Sequence, residues 1–397
     1  MHSEADPDVV IFGNTNNLHY ELALHLRDRG LSAIVVADFS VRDHYRPSDT
    51  PVGYHADIIR QESNLGLARF ISNPDGAVEA LSQGSRSFTI ASGHIPALIT
   101  HSGAQLDCFI ALGNDALRLP YEVKSWFGGN WDLARQISKT RSPRSLRLIR
   151  HLPRLQRQGI SGASVLLAHD LHYIRDVSEF ANLRRVPVIP NTYPLSYQRA
   201  LDSQRSDLLA QFIPPRYNAT DRYPLILLPA KHDFVYKGTD KFIDLFLQLR
   251  SRPGLRDALL VTFDWGPDAA AARSLLHEAA PASYVFLPFL PKRDLQELMS
   301  VADLMFSNWS TARVHINGVI SMALAAGLPI VGHIPEPYRR AVGDSYPMLE
   351  VETKLDSRPS VFNVIQTPTD LAALGKLGQD WYAGNASETL VAISTLV

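Results

Sequence analysis

Two lysines, Lys231 and Lys237, stand six residues apart in the segment Leu227-Leu228-Pro229-Ala230-Lys231-His232-Asp233-Phe234-Val235-Tyr236-Lys237-Gly238. An aliphatic run precedes them and a stretch of helical periodicity follows. At the carboxyl end of a strand and the mouth of a helix, they bring positive charge beside unpaired backbone N–H donors, and Gly238 lets the main chain approach closely. That combination suits a diphosphate. Ordinary exposure patterns offer the alternative of two solvated surface lysines. A second anion-binding candidate is the turn Asn317-Gly318-Val319-Ile320-Ser321. The N–H groups of Gly318, Val319 and Ile320 can meet a phosphate at a helix start, with Asn317 or Ser321 as polar contacts, and Asn317 equally suits helix N-capping.

The first half offers different chemistry. Gly13-Asn14-Thr15-Asn16-Asn17 follows the first strand. Its amides can donate to a phosphate or a hydroxyl, or serve ordinary turn and capping duty, and without G-x-G-x-x-G spacing it does not indicate a dinucleotide. Asp115, in Ala111-Leu112-Gly113-Asn114-Asp115 after a strand, suits a helix N-cap for Ala116 onward. His94, His169 and His172 are further cleft candidates; His169-x-x-His172 lacks matching acidic or cysteine ligands, so no metal site is expected. The stretch 139–157 carries Lys139, Arg141, Arg144, Arg147, Arg150, Arg154 and Arg157 with no acid. It suits anionic headgroups or a polyprenyl phosphate at a membrane surface, or else a solvated or internally paired basic face. Pro143 and Pro153 are expected to interrupt any long helix there.

These residues need elements to hold them. Aliphatic runs alternate with amphipathic stretches in both halves, which predicts an α/β chain of parallel sheets wrapped by helices. Strands are expected at Val9 to Phe12, Ser32 to Asp38, Asp107 to Leu112, Ala163 to Ala168 and Val186 to Ile189. In the second half they are expected at Tyr223 to Pro229, Ala258 to Phe263, Ser283 to Leu287, Asp303 to Phe306 and Leu328 to Val331. Helices are expected over Thr239 to Leu249, Lys292 to Val301 and Val319 to Ala326. The expected domains are 1–195 and 223–375, with a polar, proline-containing linker over 196–222 and a helical segment over 376–397.

Composition narrows the class. The chain has 397 residues, 45% hydrophobic and 20% charged, which excludes a largely disordered protein and favours two domains. With 39 basic against 40 acidic residues, a globally electrostatic partner such as nucleic acid is not implied. The single cysteine, Cys108, lies in an apolar run and reads as a buried thiol. The acidic start MHSEADPDVVIF and the lack of a long apolar run lead to the expectation of a cytoplasmic protein, peripheral at most on a membrane.

Residues 223–385 resemble the donor-binding domain of GT-B glycosyltransferases, particularly the retaining family 4 type (glycosyl transferases group 1). Four pieces carry the resemblance: the Lys231 to Gly238 segment; Val261-Thr262-Phe263-Asp264-Trp265-Gly266; Val285 to Pro291 followed by Leu295 to Met299 and Ala302-Asp303-Leu304; and Asn317 to Val331, ending in an Ala-x-Gly-x-Pro turn. The resemblance implies two Rossmann-like domains facing each other across a cleft. It also implies sugar transfer from a nucleoside diphosphate sugar to a glycan, lipid-linked or other hydroxyl acceptor, as in bacterial-type cell-surface polysaccharide synthesis, with no cofactor and no required metal. Lys231, Lys237 and Asp115 become its catalytic candidates. Gly13, Asn14, Gly238, Gly266, Asn317, Gly318, Val319, Ile320 and Ser321 become donor contacts.

The chain departs from the family at three points. Lys231 stands where the family more often has arginine, Leu112 where a histidine often sits, and Val314 and Met322 where two glutamates stand. Asn191 matches a junction turn. A GT-B-fold sugar-nucleotide 2-epimerase and a non-catalytic scaffold descended from a transferase are the competing readings.

Overall fold

The computed structural model describes residues 6–13, 18–38, 55–82, 86–112, 114–127, 134–135, 143–168, 202–307, 309, 318–333, 347–351 and 358–397. The chain divides into two compact units, Met1–Pro190 with Ala386–Val397, and Asn191–Asn385. The expected strand Val186 to Ile189 lies outside the described residues.

In the first unit the elements run β1 (Val9–Phe12), α1 (Leu18–Asp28), β2 (Ala33–Ala37), β3 (Ile59–Gln61), α2 (Leu67–Ser72), α3 (Pro74–Ser82), β4 (Phe88–Ala91), α4 (Ile95–Ser102), β5 (Cys108–Ala111), α5 (Asn114–Leu117), α6 (Pro143–Gly162) and β6 (Val165–Ala168). The second unit follows with α7 (Asp202–Phe212), β7 (Leu225–Leu228), α8 (Thr239–Arg250), β8 (Leu259–Phe263), α9 (Ala269–Ala279), β9 (Tyr284–Leu287), α10 (Lys292–Val301), β10 (Leu304–Phe306), α11 (Gly318–Ala325), β11 (Ile330–Gly332), β12 (Leu349–Glu350), α12 (Arg358–Gln366) and α13 (Pro368–Leu396).

The two sheets are ordered β3-β2-β1-β4-β5-β6 and β12-β11-β10-β7-β8-β9. Counted within its own unit, each therefore reads 3-2-1-4-5-6, and every pairing is parallel. The order reverses between β1 and β4 in one unit and between β7 and β10 in the other, and doubly wound sheets hold ligands beyond the strand ends at that switch. Strands β1, β7 and β8 are buried at every residue, as strands covered on both faces must be. Cys108 is fully buried in β5, where desolvation pushes its thiol up, so it is a structural thiol.

Two expectations fail on local physics. The stretch 143–162 is one continuous helix, α6, with Pro153 inside it. Pro143 stands at the first position, where a missing N–H costs nothing. Pro153 forfeits one helical bond at about 3 kcal/mol. The packed face of Leu148, Ile149, Leu152, Pro153 and Ile160, all buried, offsets it. The span read as a linker contains helix α7. Its Arg205 forks onto Asp303 with two 2.9 Å hydrogen bonds, and Asp303 also accepts the N–H of Leu225 at 2.8 Å. That fork ties α7 to the start of both β7 and β10.

Helices α4 and α6 approach closely at Gly159, where an added Cβ would lie 2.2 Å from the carbonyl oxygen of Pro96. Gly159→Ala should therefore destabilise the protein by about 3 kcal/mol, even though alanine favours a helix by about 1 kcal/mol. Denaturant unfolding of the variant reads the sign directly.

Candidate functional site

The loop after β7 carries Lys231 and Lys237 to the switch point of the second sheet. Backbone bonds fix it from both sides. His232 donates its N–H to the Trp265 carbonyl at 3.0 Å, and Asp268 returns a bond from its N–H to the His232 carbonyl at 3.2 Å. Across the switch, Trp309 donates to the carbonyl of Lys237 at 3.1 Å. Inside the loop, Asp233 accepts the N–H of Tyr236 on Oδ1 at 2.9 Å and the N–H of Lys237 on its carbonyl at 2.9 Å. Its own N–H donates to Thr239 at 3.2 Å. Asp268 accepts the N–H of Phe234 at 2.7 Å.

The two lysines stand on either side of Asp233 in this loop. Lys231 Nζ lies 3.8 Å from Asp233 Oδ2. Burial pulls the Lys237 ammonium below the usual lysine value, Asp233 opposes the shift, and the charge of Lys231 adds to it. Two lysines against one aspartate leave the loop with a net positive charge. Gly238 begins α8 at φ +60°, with Trp309 O within 3.1 Å of where a Cβ would stand. Gly266, at φ +118°, packs its α-carbon on the backbone of His232, whose oxygen would lie 2.3 Å from an added Cβ. Its place is a close backbone approach that holds the lysine loop.

Helix α11 opens after β10, at the same end of the sheet. Gly318 and Val319 are half-buried and Ile320 is buried. Ser321 is fully buried, and its hydroxyl has no hydrogen-bond partner among the described residues. Met322 is buried in the core. Asn317 and Val314 lie outside the described residues.

Sequence reasoning missed His232 as part of this site. Thr262 donates its hydroxyl proton to the Leu228 carbonyl at 2.9 Å, so at 3.0 Å from His232 Nε2 it must accept. The ring is therefore the Nε2–H tautomer, fully buried, with desolvation lowering its pKa to about 4. The threonine two residues before Asp264 was the available signal.

In the first unit, Gly13 leaves β1 at φ +90° and its carbonyl meets His19 Nδ1 at 2.7 Å. His19 is fully buried, with its Nε2 unpartnered among the described residues and its pKa lowered by desolvation to about 4. Asn14, His169, His172 and Asn191 lie outside the described residues. His94 is held below the usual histidine value by burial and bonds the Leu65 carbonyl through Nε2 at 2.8 Å.

Asp115 lies inside α5, not at its N-cap, and its carboxylate gathers backbone N–H groups. It is 5% exposed, and its oxygens accept the N–H groups of Gly93 at 3.0 Å, Leu112 at 3.1 Å and Ala116 at 3.0 Å. Gln156 donates to the carbonyls of Gly93 at 2.8 Å and Asp115 at 3.1 Å, completing a staple of the loops after β4 and β5. A carboxylate held in this way fixes backbone and is not presented to a substrate. Among the described residues no cluster of ligating side chains could hold a metal ion.

No family model matches the sequence, and no curated protein does. Solved structures do. Anabaena HepE, in complex with UDP-glucose, is similar at a TM-score of 0.62 and 14% identity, covering 98% of this chain and 100% of its own. Sucrose-phosphate synthase from Thermosynechococcus elongatus reaches 0.53 at 14% identity, covering 98% of each chain. WaaG, a glycosyltransferase involved in lipopolysaccharide biosynthesis, reaches 0.52 at 16% identity over 94% of this chain and 95% of its own. Together with the two matching sheets, these define the fold as the two-domain α/β architecture of GT-B glycosyltransferases.

Two expected outcomes follow from the polar groups. In Asp115→Asn, where an amide replaces the carboxylate that gathers three N–H groups, stability should fall by about 1.5–3 kcal/mol in urea unfolding. A variant of undiminished stability but lost turnover would return Asp115 to the catalytic set. For the histidines, the folded state disfavours the proton that the unfolded state binds below about pH 6.5. Stability therefore falls as pH drops from 6.5 toward about 4, by at most about 3 kcal/mol for His19, and levels off below. Urea unfolding of His19→Asn with His232→Gln should show a flatter pH dependence over that window.

Proposed function

We propose that the chain is a glycosyltransferase drawing on a nucleoside diphosphate sugar, with the diphosphate held by Lys231, Lys237 and the amides at the start of α11. The observation that supports this reading is that Lys231 and the half-buried Lys237 stand on the loop after β7, at the switch point of the second sheet. As the bond between the sugar and the β-phosphate breaks, negative charge grows on the leaving phosphate. A preorganised pair of cations stabilises that charge more than it stabilises the intact donor. The acceptor oxygen forms the new bond to the sugar carbon as the sugar–phosphate bond breaks, and the hydroxyl proton passes to the departing phosphate oxygen.

The exposed rings of Trp265 and Phe289, edge to face at 5.8 Å beyond β8 and β9, offer a face for the planar base. UDP is the first donor nucleotide to test, because HepE binds UDP-glucose. We read the acceptor as a glycan or lipid-linked hydroxyl of a cell-surface polysaccharide, the compartment as the cytoplasm, and the lysines as sufficient to neutralise the leaving group without a required metal. The resemblance to the retaining type favours retention at the sugar carbon.

The buried Met322, at a position where the resembled family carries a glutamate, favours a second reading, a donor-binding scaffold without turnover. A thermal-shift panel of UDP, GDP, ADP, CMP and dTDP species should give a rise for one nucleoside diphosphate. Lys237→Ala should weaken that ligand at least about tenfold, the loss of one charge-assisted phosphate contact. Unchanged affinity would remove Lys237 from the site. Binding with no turnover for any acceptor would favour the scaffold.

A further inference from the structure

We infer that the amino-terminal edge of the second sheet carries a binding site for a phosphate dianion, built on the guanidinium groups of Arg222 and Arg250. The inference does not rest on the donor site. Arg222 precedes β7 and Arg250 ends α8 ahead of β8, whereas Lys231 and Lys237 follow β7, at the opposite strand ends.

Topology brings the two side chains to one edge. Arg222 donates Nη2 to the Ala282 carbonyl, just ahead of β9, at 3.2 Å, and Nε to the Tyr217 carbonyl at 3.3 Å. Strand β8 stands between β7 and β9, so a side chain that starts ahead of β7 and ends ahead of β9 crosses the entry to β8. At that entry Arg250 docks, donating Nε to the Arg256 carbonyl at 3.0 Å. Burial and then the charge of Arg222 pull the Arg250 guanidinium below the usual arginine value, and Asp257 opposes them.

Neither cation is answered by a carboxylate. Among the described residues the ion pairs of this unit engage Arg205, Lys231, Arg273, Arg293 and Lys376. Arg222 and Arg250 make none, although both are half-buried. The acids on the adjoining segments, Asp221, Asp257 and Glu278, form no ion pair among the described residues, and Asp303 ahead of β10 is spent on Arg205.

Backbone capping does not account for this pair. A carbonyl needs a donor and not a charge, and a glutamine amide in either place would supply one. Two half-buried like charges at one edge cost free energy that an external oxyanion relieves. The forks retain the means to hold it. Arg222 spends its Nε and one Nη2 hydrogen and Arg250 spends only its Nε, so outer N–H donors of both remain.

The pair of forks then selects the anion. A carboxylate presents its oxygens in one plane and is satisfied by a single guanidinium. A phosphate sets its terminal oxygens tetrahedrally and carries a second negative charge, so it can meet forks that arrive from two elements. Free phosphate and a phosphate monoester share this chemistry.

The test is calorimetric titration of the full chain at constant ionic strength with inorganic phosphate, glycerol phosphate and acetate. It is run on the parent and on Lys237→Ala, so that phosphate held at the donor loop is recognised. Phosphate binding should persist in Lys237→Ala, with acetate at least about tenfold weaker. The tighter of inorganic phosphate and glycerol phosphate says whether the site takes the free ion or an ester. Arg222→Gln and Arg250→Gln should each weaken phosphate about tenfold, the loss of one charge-assisted contact.

Asp257 is exposed, so Asp257→Asn should unfold like the parent while tightening phosphate about threefold by removing the opposing acid. It keeps the test open should an arginine variant fail to fold. Loss of all phosphate binding in Lys237→Ala, equal affinity for acetate, or an affinity indifferent to Arg222, Arg250 and Asp257 would overturn the site. The nucleotide thermal shift should be unchanged in the Arg222, Arg250 and Asp257 variants, so failure here and failure of the transferase reading are told apart.

Discussion

The donor end of the second unit depends on a backbone seam. Three main-chain bonds, from His232 to Trp265, from Asp268 to His232 and from Trp309 to Lys237, stitch the lysine loop to the loops after β8 and β10. Without them two like charges would separate into solvent, because repulsion and side-chain entropy both favour their parting. With the main chain fixed, Lys237 is held half-buried, and among the described residues Asp233 is the acid set against the two lysines. Gly266 makes the seam possible, since no other residue could bring its backbone against His232. Positive charge at this loop is therefore a property of the fold and not of two mobile side chains.

The first unit solves a related problem with opposite sign. Loops leaving β4 and β5 expose N–H groups that have no ladder partner, and a buried amide without a partner is expensive. Asp115 collects three of them, and Gln156 answers the carbonyls on the same loops. The carboxylate that looked available for chemistry is thereby consumed in holding the end of the sheet. His19, bonded to the Gly13 carbonyl, does similar work after β1.

Much of the fold was legible in the residues because doubly wound sheets leave a strong alternation of aliphatic runs and amphipathic helices. Lys292 to Val301 was placed at both ends, and Leu259–Phe263 and Tyr284–Leu287 to within one residue. The central strand β4, Phe88–Ala91, went unread. It is four residues long and holds a threonine whose hydroxyl bonds Asp107, so it lacks an aliphatic run. Helix α7 was hidden by the prolines around it, and the Arg205 fork to Asp303, distant in sequence, together with the burial of Leu209, shows why it is ordered. At the site the lysine pair was legible because charge type and a following glycine are local signals. The staple of Asp115 was not, because its partner Gly93 lies 22 residues away.

The same distinction explains α6. A proline inside a helix is a local objection, and local reasoning broke the helix at it. The buried face and the Gly159 contact with Pro96 are tertiary terms, and they outweigh one lost hydrogen bond. Once that face is committed inward, the arginines have no freedom to turn toward the core.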